Sequence, residues 1–471
     1  MTTSHPVVPE SARDATRTLA KFAASLTYER LPAEVVAKAR ICLLDTLGCC
    51  LFGATLPAVR KLAAMAAEEG PGGKATVMGF PLRTSASMAA LVNATGAHGF
   101  QLDEIHIQAT LHPGSVAVPA AWALAETDVD VNGRALITAL VAGYETGLRV
   151  GLAAKGAIFT RGYHSQGATG ALVAGASAGR LLGLDALQMQ HAIGIAGSQA
   201  AGLMAVQEGA MAKGFHSGRA AQSGVYGAKL AKLGFTGIPN VLEAPYGGFL
   251  STIADGEYDA VALTAELGER WEILNVGFKP APASNGSITA MTALDQLMHE
   301  HNLKAADIER VTAFVSTNTL HHCGWEYTRD KVQGVLAAQM NLRYGLAIMA
   351  LEREATARQF AEDRLFRGET MDFVSRVQVE HEPKYDGSGG IYRVACRLRV
   401  RLRSGAEHET EVLYRPGSKE TPMSGEDLHR KFLGLATPVV GAQAAQALVE
   451  RLSTLERLES IRPLSGLLTP Q

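Results

Sequence analysis

Between positions 98 and 112 the chain sets three histidines and two acids within fifteen residues: His98, Asp103, Glu104, His106 and His112. Such a group can supply a general base and the carboxylate that orients it. Pro113 biases His112 away from helix into an extended turn, where a side chain can face a cleft. The competing reading is a polar loop with one or two core histidines. No His-x-x-x-His or His-x-x-Glu-His spacing occurs in this stretch, so no metal is expected. Further on, Gly162-Tyr163-His164-Ser165-Gln166-Gly167 fails as a nucleophile elbow, because Tyr163 stands where that motif needs glycine. His164 nevertheless opens a Gly/Ala-rich helical pattern, and a helix N-terminus favours a bound carboxylate. Lys213, His216 and Arg219 form a basic cluster around Gly214 and Gly218, read as a glycine-punctuated bend suited to carboxylate or phosphate. Its alternative is a solvated basic turn. No Walker lead-in precedes Lys213, and the glycines of 167–179 fall within a helical pattern, so neither a nucleotide nor a dinucleotide cofactor is expected.

The elements that must position these groups are mostly helical. Leu19, Phe22, Ala23 and Leu26 recur on one helix face, and Pro32 opens a second run that Gly53 stops. Further helices are expected over 58–69, with a stop at Gly70-Pro71, over 84–97 capped by Thr84, and over 133–150 capped by Asn132. Three small-residue helices fit 167–231, with breaks near 183 and 208–213. Near 275 the character changes. Strands are expected over 311–316, 374–379, 392–403 and 409–414, with helices over 287–299 and 335–351. In 392–403 five arginines alternate with apolar residues, which marks the solvent face of a half-buried strand better than a nucleic-acid surface. Helix returns after 421, notably over 441–455. The expected fold class is mostly α: a large all-helical domain, 1–274 with 421–471 returning to it, interrupted by a smaller α+β lid domain over 275–420.

With 471 residues, 47% of them hydrophobic and 19% charged, the chain has ample material for a core and is not a disordered sequence. A net charge of −2 and a pI near 6.7 give no basic field for nucleic acid or anionic membrane. The longest uncharged stretch, 186–207, is too polar for lipid because it carries Gln188, Gln190, His191, Ser198 and Gln199. Residues 1–10 show no secretory pattern. Five cysteines without CxxC spacing point to a reducing compartment, so a cytoplasmic location is expected.

Taken in chain order, these segments resemble the MmgE/PrpD family, which includes 2-methylcitrate dehydratase, cis-aconitate decarboxylase and iminodisuccinate epimerase. The likeness runs through Leu31-Pro32, Ala37-Lys38, Leu44-Asp45-Thr46-Leu47-Gly48 and Gly53, then Ala97-His98, Asp103-Glu104 and His112-Pro113-Gly114. Gly143-Tyr144-Glu145 with Arg149, Gly162-Tyr163-His164, Lys213, the run His216 to Ala221, Gly234-Phe235-Thr236-Gly237, Phe278-Lys279-Pro280 and Tyr344 follow in family order. The resemblance implies a homodimer with an active site at the domain boundary, no metal, no organic cofactor, and a small di- or tricarboxylate substrate. It implies catalytic roles for Asp103, His112, His164, Lys213 and Tyr344, and substrate contacts from Gln101, His106, His216, Arg219, Lys279 and Ser284. Two departures stand out. Gln101 replaces the leading acid of the family block, and residues 283–289 lack a histidine commonly found there, near Ile288 or Thr289. The leading expectation is a cofactor-independent hydro-lyase that abstracts a proton α to a carboxylate and expels water. An epimerase or a decarboxylase in the same pocket is the alternative, and a non-catalytic acid-binding homologue is the alternative of another class.

Overall fold

A computed structural model describes residues 13–70, 72–255, 258–387, 390 and 392–470. The reading of residues 1–10, and Pro71 of the helix-stop signal, lie outside the described residues. The chain divides into two compact units. One comprises Met1–Met204, Met211–Val276 and Ser424–Gln471; the other comprises Ala205–Ala210 and Gly277–Met423.

In the first unit the apolar periodicity becomes packed helix. Leu19, Phe22 and Ala23 are the buried face of Ala15–Ser25, and Pro32 immediately precedes the long helix Ala33–Gly53. Asn132 caps Gly133–Ala153 by accepting from the Ala135 N–H at 2.9 Å. The cap expected at Thr84 falls one residue later. Ser85 Oγ accepts from the Met88 N–H at 3.3 Å to start Ala86–His98, while Thr84 ends a strand. That strand, β2 (Leu82–Thr84), pairs antiparallel with β1 (Ala75–Val77). The hairpin is a small exception to an all-helical unit, and three residues per strand are too few to leave a period in the sequence.

Helix Ala212–Lys232 is the hub of this unit, lying against Ala86–His98, Gly170–Leu181 and Ala186–Gly197. Its glycines explain the closeness. A Cβ on Gly218 would stand 2.2 Å from Thr95 Oγ1 and 2.5 Å from the Leu91 carbonyl, and one on Gly214 would stand 3.0 Å from the Thr95 carbonyl. Gly214 and Gly218 are therefore helical packing positions, which corrects the expectation of a bend at Lys213. Among the described residues one helix, Gly133–Ala153, is by itself long and apolar enough to cross a membrane, and it is buried against its neighbours. Two more, Ala33–Gly53 and Pro57–Glu69, pass that test only as a pair bent by 85°. The uncharged stretch from 186 forms the short helix Ala186–Gly197 and runs on into a 3-10 turn, Met204–Glu208, so no long continuous helix is built from it.

The second unit carries a four-stranded sheet in the order β4-β3-β5-β6, with β3 (Ile308–Val315), β4 (Val377–His381), β5 (Cys396–Leu402) and β6 (Glu407–Val412). β3 and β4 run parallel; β5 is antiparallel to both β3 and β6. Helices Asn285–Glu300 and Leu342–Glu352 pack on each other. Three expected boundaries move. The strand expected from 374 starts at Val377, because Gly368–Val374 is helical. The strand expected from 392 starts at Cys396, after a turn. The helix expected over 335–351 is two pieces, since the Asn341 side chain accepts from the Tyr344 N–H at 3.1 Å and begins a new helix. The arginines of β5 face acids: Arg397 reaches Glu382 at 2.8 Å and Arg399 reaches Glu409 at 2.9 Å.

Candidate active site

The Ala86–His98 helix ends on His98, and the loop that follows carries Asp103 and His112. A frame of buried polar groups holds this loop. Lys431 donates to Asp45 Oδ1 at 2.6 Å and to the Leu102 carbonyl at 2.7 Å, and Asp45 Oδ2 accepts from the Glu104 N–H at 3.2 Å. Glu104 Oε1 in turn accepts from the Gly114 N–H at 2.9 Å and from the Tyr144 hydroxyl. Burial pushes the Glu104 carboxyl up to about 7.

Asp103 is fully buried, and its Oδ2 faces two imidazoles: His98 Nδ1 at 2.7 Å and His112 Nδ1 at 3.3 Å. Burial opposes ionisation of Asp103, but His112 and His98 outweigh it and hold the carboxyl well below the usual range. Lys213, in the first turn of Ala212–Lys232, places Nζ 3.3 Å from His98 Nε2. The lysine donates there, which leaves the His98 proton on Nδ1, aimed at Asp103. Hydrogen bonds thus run from Lys213 through His98 to Asp103, and a 3.3 Å contact carries the chain on to His112. Burial lowers His98 to about 3, so this imidazole is neutral, and burial lowers Lys213 to about 8 against the pull of Asp103.

His164 stands at the start of the short helix Ser165–Ala168, just ahead of Gly170–Leu181. Its ring lies 5.4 Å from that of His98 and 5.2 Å from that of His216, centroid to centroid. Its Nδ1 meets His216 Nδ1 at 3.0 Å. Burial, then Lys213, keeps both of these imidazoles below the ordinary histidine range, so the neutral pair shares one proton between two nitrogens. The site therefore gathers one ionised carboxylate, four imidazoles and one ammonium. It can hold a polyanion, move a proton at either histidine group, and stabilise negative charge that grows beside Lys213.

His98, Asp103 and His112 also have ligand atoms within 4.8 Å of one another, so in geometry they could hold a cation. The donor set suits the proton chain better. A cation would sit beside the Lys213 ammonium and would displace the His98–Asp103 hydrogen bond and the His112–Asp103 contact.

A scan of family models matches residues 17–260 to the MmgE/PrpD N-terminal domain and residues 282–455 to the MmgE/PrpD C-terminal domain. The chain belongs to the MmgE/PrpD family. It is 30% identical to a cis-aconitate decarboxylase of Aspergillus terreus over 96% of this chain and 95% of that one. It is 29% identical to the cis-aconitate decarboxylase-like protein oryM of Aspergillus oryzae, covering 96% and 97%. Identity to the human cis-aconitate decarboxylase is 26%, covering 94% and 92%.

Of the MmgE/PrpD residues singled out from sequence, the fold brings Asp103, His112, His164, Lys213 and His216 together. His106 is placed elsewhere. Its Nδ1 accepts from the Ala109 N–H at 3.1 Å and its Nε2 faces Glu272 at 3.5 Å, which makes it a brace of the loop. Arg219 is exposed and donates to Gln222. Gln101 is buried in a left-handed conformation, φ 60°, with its amide nitrogen unpartnered, a strained placement for a non-glycine residue. Tyr344, Lys279 and Ser284 belong to the second unit. There the Tyr344 hydroxyl donates to the Gln359 carbonyl at 2.6 Å in a buried aromatic stack with Tyr327. Lys279 is buried, and Ser284 caps Asn285–Glu300 by accepting from the Ser287 N–H at 3.2 Å. Thr289, near the absent histidine, donates to the Asn285 carbonyl at 3.1 Å.

Sequence reasoning missed two members. In the sequence His98 stands out only as part of the polar block, because its link to Lys213 spans 115 positions. Gln166 gave no signal beyond its nearness to His164. It binds the main chain of His112 on both sides, with Oε1 accepting from the N–H at 3.0 Å and Nε2 donating to the carbonyl at 2.9 Å.

Proposed function

We propose that this enzyme is a cofactor-independent lyase that decarboxylates a small unsaturated tricarboxylate of the cis-aconitate kind. At the coarser level it is an enzyme that processes small carboxylic acids. The observation that carries the finer reading is likeness over nearly the whole chain to cis-aconitate decarboxylases, joined to a buried site rich in basic groups. In the reaction the bond between one carboxylate and the carbon skeleton breaks, carbon dioxide leaves, and its electron pair stays on the skeleton. A remaining carboxylate shares that charge as an enediolate-like state, which the Lys213 ammonium stabilises. A proton is then added to carbon, so that one acid and one proton give carbon dioxide and a dicarboxylate. His112, held by Asp103, is the proton donor of this reading, and the His164–His216 pair faces the remaining carboxylates.

Water elimination from a hydroxy tricarboxylate is the second reading. The presence of two separate imidazole groups favours it, since one can take a proton while the other protonates a departing hydroxyl. NMR of cis-aconitate with pure protein in deuterated water separates the two. The proposal expects carbon dioxide release with one carbon-bound deuterium per product. Turnover of hydroxy tricarboxylates alone, without carbon loss, would replace it with the dehydratase reading.

A symmetric homodimer completes the proposal. Among the described residues, the large apolar side chains exposed in the first unit, including Leu187, Leu203, Tyr226, Leu233, Phe235 and Tyr246, fall within residues 187–261, which suits cover by a second copy. Light scattering at micromolar concentration should give about twice the 49.7 kDa chain mass, and a value at 49.7 kDa would contradict the dimer.

A further inference from the structure

We propose that Gln166 is the positioning residue of His112, a single side chain that fixes where the imidazole stands over Asp103. The inference rests on the assignment of His112 to the reacting centre. Gln166 is 1% exposed and spends its whole amide on this task. Its Oε1 takes the His112 N–H at 3.0 Å, and the two hydrogens of its Nε2 are shared among three acceptors, the His112 carbonyl at 2.9 Å, Ser115 Oγ at 2.7 Å and Ser217 Oγ at 3.1 Å.

The two serines are prepared as acceptors. The Ser115 hydroxyl donates to the His112 carbonyl at 2.9 Å, so its lone pairs face Gln166. Pro119 lies inside helix Gly114–Thr127 and has no N–H, so it offers no helical donor to the carbonyl four residues back, that of Ser115. That carbonyl accepts from the Ser217 hydroxyl at 3.3 Å instead, which leaves the Ser217 oxygen to accept from Gln166. One amide thus joins three segments: the His112 turn with Ser115, the turn after His164, and the helix on which Ser217 lies one turn beyond Lys213. Its bonds to His112 are to main-chain atoms alone, so the effect on the imidazole is one of place. Losing them frees the turn while leaving Asp103, His98 and Lys213 intact.

The expected result for Gln166→Leu is a fall in kcat on the order of 30- to 100-fold with KM changed by no more than about threefold, because small misplacement of a proton donor is costly to chemistry and not to binding. Asn93→Ala is the control for stability. Asn93 makes a like clamp, accepting from the Met78 N–H and donating to the Thr76 carbonyl, both at 2.9 Å, in the β1 region. It should lower Tm while kcat stays within about twofold. The deciding measurement is the double variant of Gln166→Leu with His112→Ala. If Gln166 acts through His112, the second change costs less than about threefold on the His112→Ala background. A full multiplicative loss there, or a wild-type kcat for Gln166→Leu alone, overturns the inference. Should Gln166→Leu fail to fold, Ser115→Ala and Ser217→Ala each remove one acceptor. Each should give a smaller kcat loss that likewise vanishes on the His112→Ala background, and persistence of the loss there overturns the inference. Wild-type turnover in His112→Ala would instead bring down the site assignment itself, and the inference with it.

Discussion

Lys213→Met should lower kcat on the order of a hundredfold or more while raising thermal stability. The two effects have one cause. Lys213 is 4% exposed, and burial lowers its ammonium from 10.5 to about 8, against the pull of Asp103. Holding that charge inside the fold at neutral pH costs stability, on the order of a few kcal/mol for a shift of this size. An apolar side chain of similar length removes the cost and, with it, the positive charge that meets the growing enediolate. The pH dependence follows with a definite sign. Between about 8 and 10.5 the unfolded chain keeps a proton on this lysine that the folded chain has released, so the stability contributed here rises with pH across that window. Turnover that needs the ammonium falls over the same range. The wild-type kcat should therefore decline above about pH 8, and the residual rate of Lys213→Met should lack that step. Arg399→Ala serves as the control, since Arg399 is paired with Glu409 on the sheet of the second unit, and its turnover should match wild type. An unchanged kcat in folded Lys213→Met would remove the lysine from the mechanism.

Asp103→Asn should be still more damaging, with kcat lower by roughly a thousandfold. Two imidazole N–H groups converge on one Asp103 oxygen, and only an ionised carboxylate accepts both without conflict. The amide either turns its own N–H groups toward an imidazole or offers one neutral oxygen in place of a charge. In both cases the proton position on His98 is no longer dictated, and His112 loses the carboxylate that faces it. In the proposed reading the substrate is held chiefly by Lys213 and the His164–His216 pair, so KM should move far less than kcat. A loss confined to KM, with kcat preserved, would recast Asp103 as a binding residue.

Much of this was legible from residue types. The helix-rich first half and the alternating strand of arginines follow from periodicity and turn residues, and the grouping of Asp103, His112, His164 and Lys213 follows from the resemblance to the MmgE/PrpD family. The glycines beside Lys213 were legible as a feature but not in their purpose. Gly214 and Gly218 look like bend residues in a sequence, and only the close approach of Thr95 and Leu91 shows that they let two helices touch. His98 and Gln166 escaped for a related reason. Their partners, Lys213, His112, Ser115 and Ser217, stand far away in the chain, and no local spacing records a hydrogen bond between distant helices. His106 shows the opposite failure. It shares a loop with Asp103, yet the turn directs it to Glu272, because adjacent positions on a loop need not share a face.

The central claim is that the groups around Asp103 bind and transform a polycarboxylate. Nitrogen-15 NMR of the histidine side chains during titration with propane-1,2,3-tricarboxylate, a saturated analogue, tests this most directly. The account predicts that the His112, His164 and His216 resonances shift together along one saturating curve, while His381 and His408, on the sheet of the second unit, stay fixed. Saturable binding that leaves those three resonances unmoved would contradict it.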